Sequence, residues 1–228
     1  MEEQEKYISA EERLEAFALA HGAAFAGFCE ITPLPELPVL RYAVSFGVKL
    51  SDAVLSTIGD KPTPMYFQHY RTANALLDAI AFSLCAEIER EGYSAFPVAA
   101  SQSLGGERRY MGVIPHKTCA VLAGLGYVGK SGLFLHREYG SRVRLCTVLT
   151  NLPLKPVFPR MENGCGACTA CRDACPAGAI YGELPHEDGT RNFDAEKCSR
   201  YMKEHFQEIG RGSVCGICIR VCPKNRLR

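Results

Sequence analysis

The C-terminal part of the sequence contains a cysteine run that restricts its fold more than any other feature. The run reads Cys165-Gly-Ala-Cys168-Thr-Ala-Cys171-Arg-Asp-Ala-Cys175-Pro176, with the spacing C-x2-C-x2-C-x3-C-P. Proteins with this spacing bind pairs of [4Fe-4S] clusters, and the fourth cysteine binds the other cluster of the pair. Three thiolates two residues apart can wrap one cubane. Pro176 favours an extended backbone at Cys175, which directs that side chain away from the wrap.

A second set, Cys215-Gly-Ile-Cys218-Ile-Arg-Val-Cys222-Pro223, repeats the end of the first. Aligned on its proline, it has Gly212 where Cys165 would stand, so one ligand is missing locally. Cys198 is the spare cysteine of this region, in a helix predicted to begin near Asp194. We therefore predict a small ferredoxin-like domain with two crossed ligand sets: Cys165, Cys168, Cys171 and Cys222 for one cluster, and Cys175, Cys198, Cys215 and Cys218 for the other. Two four-thiolate zinc sites are the alternative.

Composition supports metal binding over disulfides. The chain has 12 cysteines and a net charge of +1. Its acidic N-terminus is unlike a signal peptide, and no apolar run of 18 residues occurs, so we expect a cytoplasmic protein with reduced thiols and no membrane span. The near-neutral charge offers no basic footprint and makes nucleic acid an unexpected partner. The remaining cysteines are predicted to be buried core thiols, and they are Cys29, Cys85, Cys119 and Cys146.

The upstream sequence alternates helical and strand-like patterns. Ser9 to Glu12 has the form of a capping box, and an apolar face from Ala73 to Ile88 recurs at helical spacing. We predict helices over 10–21, 65–91 and 115–123, and strands over 23–31, 41–50, 93–100, 132–138 and 141–151, the last two as a hairpin. A proline-rich link predicts two domains, 1–155 and 156–228. The fold class is therefore α+β, with a mixed α/β candidate cofactor-binding domain before the cluster domain.

The stretch from Ala123 to Ser131, AGLGYVGKS, matches two phosphate-binding patterns, G-x-x-x-x-G-K-[ST] and G-x-G-x-x-G. Both patterns need a strand before the loop and a helix after it. Here the predicted order is reversed, and Thr150 and Asn151 stand where an acidic partner would be needed. Nucleotide binding is therefore disfavoured. Two alternatives remain open: a tight turn without a ligand, or a close approach to a flat cofactor that Tyr127 and Lys130 could contact.

The order of motifs over residues 93–223 resembles the epoxyqueuosine reductase family. The resemblance implies a corrinoid-reductase-like domain, nitroreductase-related and similar to that of reductive dehalogenases, with cobalamin beside the nearer cluster and electrons passing through both clusters to cobalt. By this resemblance, the corrinoid pocket would include Ser101, His116, Lys117, Gly124, Gly126, Tyr127, Gly129 and Lys130. Four arginines are candidates for the polar edge of the corrinoid, namely Arg108, Arg109, Arg142 and Arg144.

The sequence departs from that family in several places. Between Ser101 and His116, where the queuosine enzymes carry a catalytic aspartate, the only acidic residue is Glu107. We also expect a short member without the helical-repeat tail that helps to bind tRNA, and no D-x-H-x-x-G corrinoid motif occurs. No catalytic residue is assigned.

We predict an oxidoreductase that relays electrons through two [4Fe-4S] clusters to a cofactor in the first domain, with cobalamin as the candidate. The electron donor would be a protein such as ferredoxin or flavodoxin. The reduced product would be a small-molecule substrate or the cofactor of a redox partner protein. The alternative is a non-enzymatic ferredoxin-type carrier that docks onto a redox partner. Epoxyqueuosine reduction on tRNA is the third possibility.

Overall fold

The computed structural model describes residues 8–106, 110–184, 192–210 and 214–225. It confirms the α+β class. A four-stranded antiparallel sheet is covered by helices on both faces and is followed by the cysteine-rich segment. Four residues named above lie outside the described residues: Glu107, Arg108, Arg109 and Gly212. Within the described parts of the chain, no helix combines the length and the apolar character that crossing a bilayer requires.

The predicted helices are present, with additional short ones. They are α1 Ala10–Ala20, α2 Asp52–Ser56, α3 Pro64–Arg90, α4 His116–Leu122, α5 Ala170–Asp173, α6 Ala195–His205 and α7 Ile217–Arg220. The capping box of α1 is formed, because the Glu12 N–H donates to Ser9 Oγ at 3.1 Å and the Ser9 N–H donates to Glu12 Oε2 at 3.0 Å. Helix α3 begins with Pro64 at its first position, after the capping residue Thr63.

The strands are β1 Phe25–Glu30, β2 Tyr42–Lys49, β3 Ala95–Val98, β4 Gly126–Val128, β5 Phe134–His136 and β6 Val143–Thr150. The main sheet has the order β1-β2-β6-β3, and all its pairs are antiparallel. The predicted hairpin between residues 132–138 and 141–151 is wrong. Strand β6 pairs with β2 and β3, while β5 pairs with β4, which lies inside the glycine-rich stretch. Sequence pattern identifies a strand but not its partner when the partner is distant.

The core lies on both faces of the main sheet, because successive residues of a strand point to opposite faces. Val44 and Phe46 of β2 belong to the core layer with α1 and α3, whereas Ala43 belongs to the layer with α4. On α3, the predicted apolar face is buried except for Leu76, which is 39% exposed.

The cysteine-rich segment contributes to the same core. Ile217 and Ile219 of α7 belong to the cluster of buried side chains that contains α1 and α3 residues. The proline-rich boundary at residue 155 stays a prediction, but the two parts it separates are joined by a continuous apolar interior.

Candidate metal centre

The eight cysteines of the C-terminal part form two spatial groups. Group A consists of Cys165, Cys168, Cys171 and Cys222, and group B consists of Cys175, Cys198, Cys215 and Cys218. All four members of group A line one cavity, together with Lys130, Ser131, Leu135, Pro223 and Lys224. Cys222 therefore lies beside the first three cysteines of the other run, as the crossed arrangement requires.

The electrostatic interactions between the thiols follow the same division. Burial, followed by the neighbouring Cys215 and Cys175, raises the pKa of Cys198 to about 12. Burial also raises the pKa of Cys218, with contributions from Cys215, Cys198 and Cys175 and a last one from Cys171 of the other group. These four side chains therefore lie close enough to disfavour one another's ionisation.

Group A shows the corresponding pattern. Burial raises the pKa of Cys171, and Cys222 and Cys165 add to the shift. Burial likewise raises the pKa of Cys222, with Cys165 adding, although the Lys224 N–H and the Ser141 hydroxyl oppose it. Thiolates crowded in this way need a cationic centre to stay ionised together, which an iron core would supply.

Backbone N–H groups point at several of the sulfurs. The Ala179 N–H donates to Cys175 Sγ at 3.4 Å. Hydrogen bonding from the Ile217 N–H lowers the pKa of Cys215 against the larger effect of burial. Both donors lie in the turns that follow these cysteines. In the second turn, Gly216 precedes α7 with a φ of 79°, a left-handed conformation that glycine adopts without strain. Such N–H···S contacts are among the features that set cluster potentials.

The glycine-rich stretch packs against protein. A Cβ at Gly124 would collide with the carbonyl oxygens of Phe158 and Pro159, the latter at 2.7 Å. A Cβ at Gly126 would collide with the carbonyl oxygen of Leu135. The stretch thus allows a close approach of other backbone segments, and the order of helix α4 before strand β4 agrees with the argument against a phosphate loop.

The third glycine of the stretch lies directly beside group A. A Cβ at Gly129 would be 3.1 Å from Cys165 Sγ and 2.6 Å from Leu135 Cδ1. Next to it, the Lys130 ammonium donates to the carbonyl oxygen of Cys168 at 3.3 Å. Tyr127 is only 8% exposed, and a Cβ at Gly164, the residue before Cys165, would lie 2.8 Å from its hydroxyl. These residues support group A.

The other residues predicted for a corrinoid pocket also contact protein. His116 is bonded through Nδ1 to Thr147 Oγ1 at 2.9 Å and through Nε2 to the Ala99 carbonyl at 3.0 Å. The Lys117 ammonium donates to the Gly132 carbonyl at 2.9 Å. Ser101 is exposed, and its Oγ lies 3.0 Å from the Tyr70 hydroxyl.

The two described arginines named for the corrinoid edge are also engaged. Arg142 pairs with Asp52, and its side chain is 5% exposed. Arg144 donates to Asn74 Oδ1 at 2.9 Å and stacks on the ring of Tyr70 at 4.4 Å. The residues predicted for a corrinoid pocket thus each have a contact within the protein, and the pocket itself stays a prediction.

Three asparagines connect the parts of the molecule and were missed by sequence reasoning. Asn163 donates to the Val128 carbonyl at 2.6 Å and accepts from the Cys165 N–H at 2.9 Å. Asn192 donates to the carbonyls of Gly129 and Lys130. Asn225 Oδ1 accepts from the backbone and hydroxyl of Ser141, at 2.8 and 3.0 Å. No pattern marks them, because an isolated asparagine near a cysteine looks like any loop residue.

The position of Tyr66 beside the cysteines was also not predicted, because the sequence around it indicates only a helix and contains no motif. Tyr66 lies in the first turn of α3, is 2% exposed, and reaches the turn between Cys215 and Cys218. A Cβ at Gly216 would lie 2.6 Å from its ring and 2.9 Å from its hydroxyl. Burial raises the pKa of Tyr66, Arg144 opposes the shift, and Cys218 adds to it.

Comparison with known proteins agrees with this arrangement. Residues 164–225 match the family model described as a 4Fe-4S double cluster binding domain, so this region binds two [4Fe-4S] clusters. Over 124 residues, half of its length, the chain is 38% identical to an epoxyqueuosine reductase of Lactococcus garvieae (strain Lg2), and it spans 33% of that protein.

Two solved structures have the same fold. A reductive dehalogenase for which a mechanism of B12-dependent dehalogenation is suggested aligns with a TM-score of 0.78 at 24% identity, covering 99% of this chain and 33% of the other. An epoxyqueuosine reductase bound to an epoxyqueuosine-modified stem loop of tyrosine tRNA aligns with a TM-score of 0.58 at 23% identity, covering 95% of this chain and 65% of the other.

The chain is thus related to the epoxyqueuosine reductases, as predicted. It spans about a third of the length of the curated relative it matches. One relative binds a tRNA stem loop, so the expectation that nucleic acid is not a partner has no support from these comparisons.

Proposed function

We propose that the chain is an iron–sulfur oxidoreductase in which group A and group B each bind one [4Fe-4S] cluster. The observation that carries this proposal is the crossing of the two cysteine runs, with Cys222 on the cavity of the first run and Cys175 beside Cys198, Cys215 and Cys218. When bound, the clusters would supply reversible one-electron transfer with little rearrangement.

The protein's own contribution is to fix and insulate these sites. The cysteines would bind iron as thiolates, and backbone donors such as the Ala179 N–H would favour the electron-rich sulfurs. Gly129 and Asn163 keep the cysteine region against the first domain at short range. This rigid attachment suits electron transfer between a cluster and a group on the first domain.

The acceptor of the electrons is a separate question. Cobalamin is the candidate that the related reductases and dehalogenases suggest. The described residues predicted for its pocket have protein partners instead, so we derive no step through a corrinoid. The same contacts, above all those of Gly124 and His116, favour the second candidate function, an electron carrier that docks onto a redox partner.

Metal analysis of anaerobically purified protein tests the two-cluster proposal. We expect about eight irons and about eight acid-labile sulfides per chain, because each cubane contains four of each. Zinc with little iron or sulfide would overturn it, since a four-thiolate site can also bind zinc. Oxygen-exposed protein serves as a control for cluster loss during preparation.

Cobalamin titration separates the enzyme from the carrier. Binding measured by calorimetry, with a shift in the corrinoid absorption of cluster-loaded protein, would support a corrinoid-dependent reductase. No heat and no spectral change would support the carrier. Turnover of an epoxyqueuosine-containing tRNA stem loop would instead identify this chain as acting on the substrate class of its relatives.

A further inference from the structure

Tyr66 is the residue through which helix α3 reaches group B. The helix starts at Pro64, and the Thr63 Oγ1 accepts the Tyr66 N–H at 3.2 Å, which fixes the first turn. From this turn the phenol ring extends to Gly216, in the C-x-x-C turn of Cys215 and Cys218. The residue is 2% exposed, so the phenol ring lies in the interior of the protein.

Gly216 makes this approach possible. Its φ of 79° is the left-handed conformation that glycine adopts without strain, and a side chain there would occupy the space of the phenol ring. The tyrosine hydroxyl would be only 2.9 Å from that Cβ position. The glycine therefore opens the turn that would wrap a cluster so that Tyr66 can pack on it.

A buried hydroxyl needs a hydrogen-bond acceptor. Among the described residues, the one side-chain-involving hydrogen bond at Tyr66 uses its backbone N–H and not its hydroxyl. The ring packs against Gly216 of the cysteine turn, and the residues close enough to act on its hydroxyl are Arg144, Cys218, Tyr70 and Cys215. A cluster bound by group B would place electron-rich sulfur, from cysteine or from the inorganic core, in this neighbourhood.

On the premise that group B binds a cluster, as proposed above, we infer that the Tyr66 hydroxyl donates a hydrogen bond to a sulfur of that cluster and raises its reduction potential. Reduction adds one electron and hence one negative charge to the cluster. A donor aimed at its sulfur stabilises the reduced form more than the oxidised form, and burial strengthens the effect. Tyr66 is thus a tuning residue supplied by the first domain.

Two substitutions with opposite expected effects test the inference. Tyr66→Phe keeps the ring on Gly216 and removes only the hydroxyl, so the midpoint potential of the group B cluster should fall. We expect about a tenfold change in its reduced-to-oxidised ratio at a fixed potential, which is about 59 mV for a one-electron couple. Replacing Tyr66 by 3-fluorotyrosine gives a more acidic, stronger donor and should raise that midpoint.

The measurement is an anaerobic potentiometric series followed by electron paramagnetic resonance. The group B signal is identified as the one that Cys198→Ser alters. Tyr70→Phe is the matched control, because Tyr70 lies one turn later on α3 and its hydroxyl is bonded to Ser101 at 3.0 Å. In this control both midpoints should stay at their wild-type values.

Three results would overturn the inference: unchanged midpoints in both Tyr66 proteins, equal shifts of both clusters, or the same fall in Tyr70→Phe. If Tyr66→Phe fails to incorporate clusters, the 3-fluorotyrosine protein decides alone, and the absence of an upward shift refutes the inference. Wild-type metal content keeps the two proposals apart. Zinc in place of iron would refute the proposed function. Two clusters whose midpoint potentials do not respond to the Tyr66 substitutions would refute only the role of Tyr66.

Discussion

Group A and group B are both built from a repeated cysteine motif, but they lie in different surroundings. Group A borders polar groups, including the Lys130 ammonium and the Ser141–Asn225 pair beside Cys222. Group B borders the apolar core, because Ile217 and Ile219 next to its cysteines belong to that core. Donors and nearby positive charge favour the reduced cluster, and apolar burial disfavours it. The difference teaches that a repeated motif fixes cluster type, whereas its neighbours set the potential, so we expect the two clusters to have different potentials.

The largest expected effect comes from two adjacent ligands of one run. Cys171→Ala and Cys175→Ala should each remove about four of about eight irons, yet from different clusters. Electron paramagnetic resonance of the reduced protein should therefore show complementary signals in the two variants. The signal that remains in Cys175→Ala should be the same as the one that remains in Cys198→Ala, because both residues belong to group B.

Cys85→Ala is the control for this comparison, since Cys85 is a buried thiol of α3 outside both groups. Its iron content should equal that of the wild type. The comparison of two crossed groups breaks down if Cys171→Ala and Cys175→Ala lose the same signal.

A smaller effect is expected where the proline-rich segment crosses the glycine stretch. Gly124→Ala would force a φ of 71° on alanine and drive its Cβ into the carbonyls of Phe158 and Pro159. We expect a loss of about 3 kcal/mol of unfolding free energy, measured by anaerobic denaturant titration. Gly59→Ala has open space around its Cβ and should change little. Equal stability of the two variants would contradict the close approach.

Asn225→Ala tests the polar support of group A, and it also removes the bond from the Asn225 amide to the Ile219 carbonyl. It leaves the buried Ser141 N–H and hydroxyl without their acceptor, which should cost about 1–3 kcal/mol. The group A cluster should also be lost to a chelator faster than the group B cluster, as followed by its spectroscopic signal. Asn151→Ala removes a comparable bond to the Ser94 N–H, far from Asn225 in the chain, and should accelerate neither loss. Equal acceleration for both clusters would argue against a distinct role for Asn225.

The smallest effect concerns the ion pair between Asp52 and Arg142, the residue that follows Ser141. Burial opposes ionisation of Asp52, but hydrogen bonds from Lys49 and Arg142 outweigh it and lower its pKa. A lowered pKa stabilises the fold above the unfolded-state value, and this contribution disappears as pH falls through the folded-state value. Because Asp52 is about a third exposed, Asp52→Asn should cost below about 1 kcal/mol at pH 7.

The stability difference between wild type and Asp52→Asn should narrow as the pH is lowered below about 4. Thermal unfolding of both proteins across this range provides the measurement. Asp60→Asn, an exposed carboxylate before α3, serves as the control. A difference that is independent of pH would mean that the charge of Asp52 is irrelevant.

The sequence predicts the helices well, and the family match bears out a two-cluster region. Cap residues and apolar spacing are local signals, so α1 and α3 were predictable to within a residue or two. The spacing of the cysteines is likewise a local signal, because neighbouring ligands of each run are separated by only two or three residues, and it therefore predicts a cluster-binding region. The crossed sets themselves stay a prediction that the placement of Cys222 and Cys175 supports.

What sequence could not supply is the identity of distant partners. Strand β6 could have paired with its neighbour β5 and instead pairs with β2, about a hundred residues earlier. The glycine stretch was equally ambiguous, since the same three glycines can face a ligand or another backbone segment. Only the placement of Phe158 and Cys165 distinguishes these cases. The contact of Tyr66 with the cysteine turn could not be predicted for the same reason, because that turn lies 150 residues later in the chain.

The apolar interior shared by α3 and α7 links iron supply to the integrity of the whole chain. Ile217 and Ile219 complete the layer beneath α3, and they lie between the cysteines that would bind metal. Loss of the clusters would leave this closing segment without its anchor and would weaken the part of the layer that Ile217 and Ile219 complete. The protein without its clusters would then be less stable than the loaded protein, because the free energy of metal binding contributes to folding.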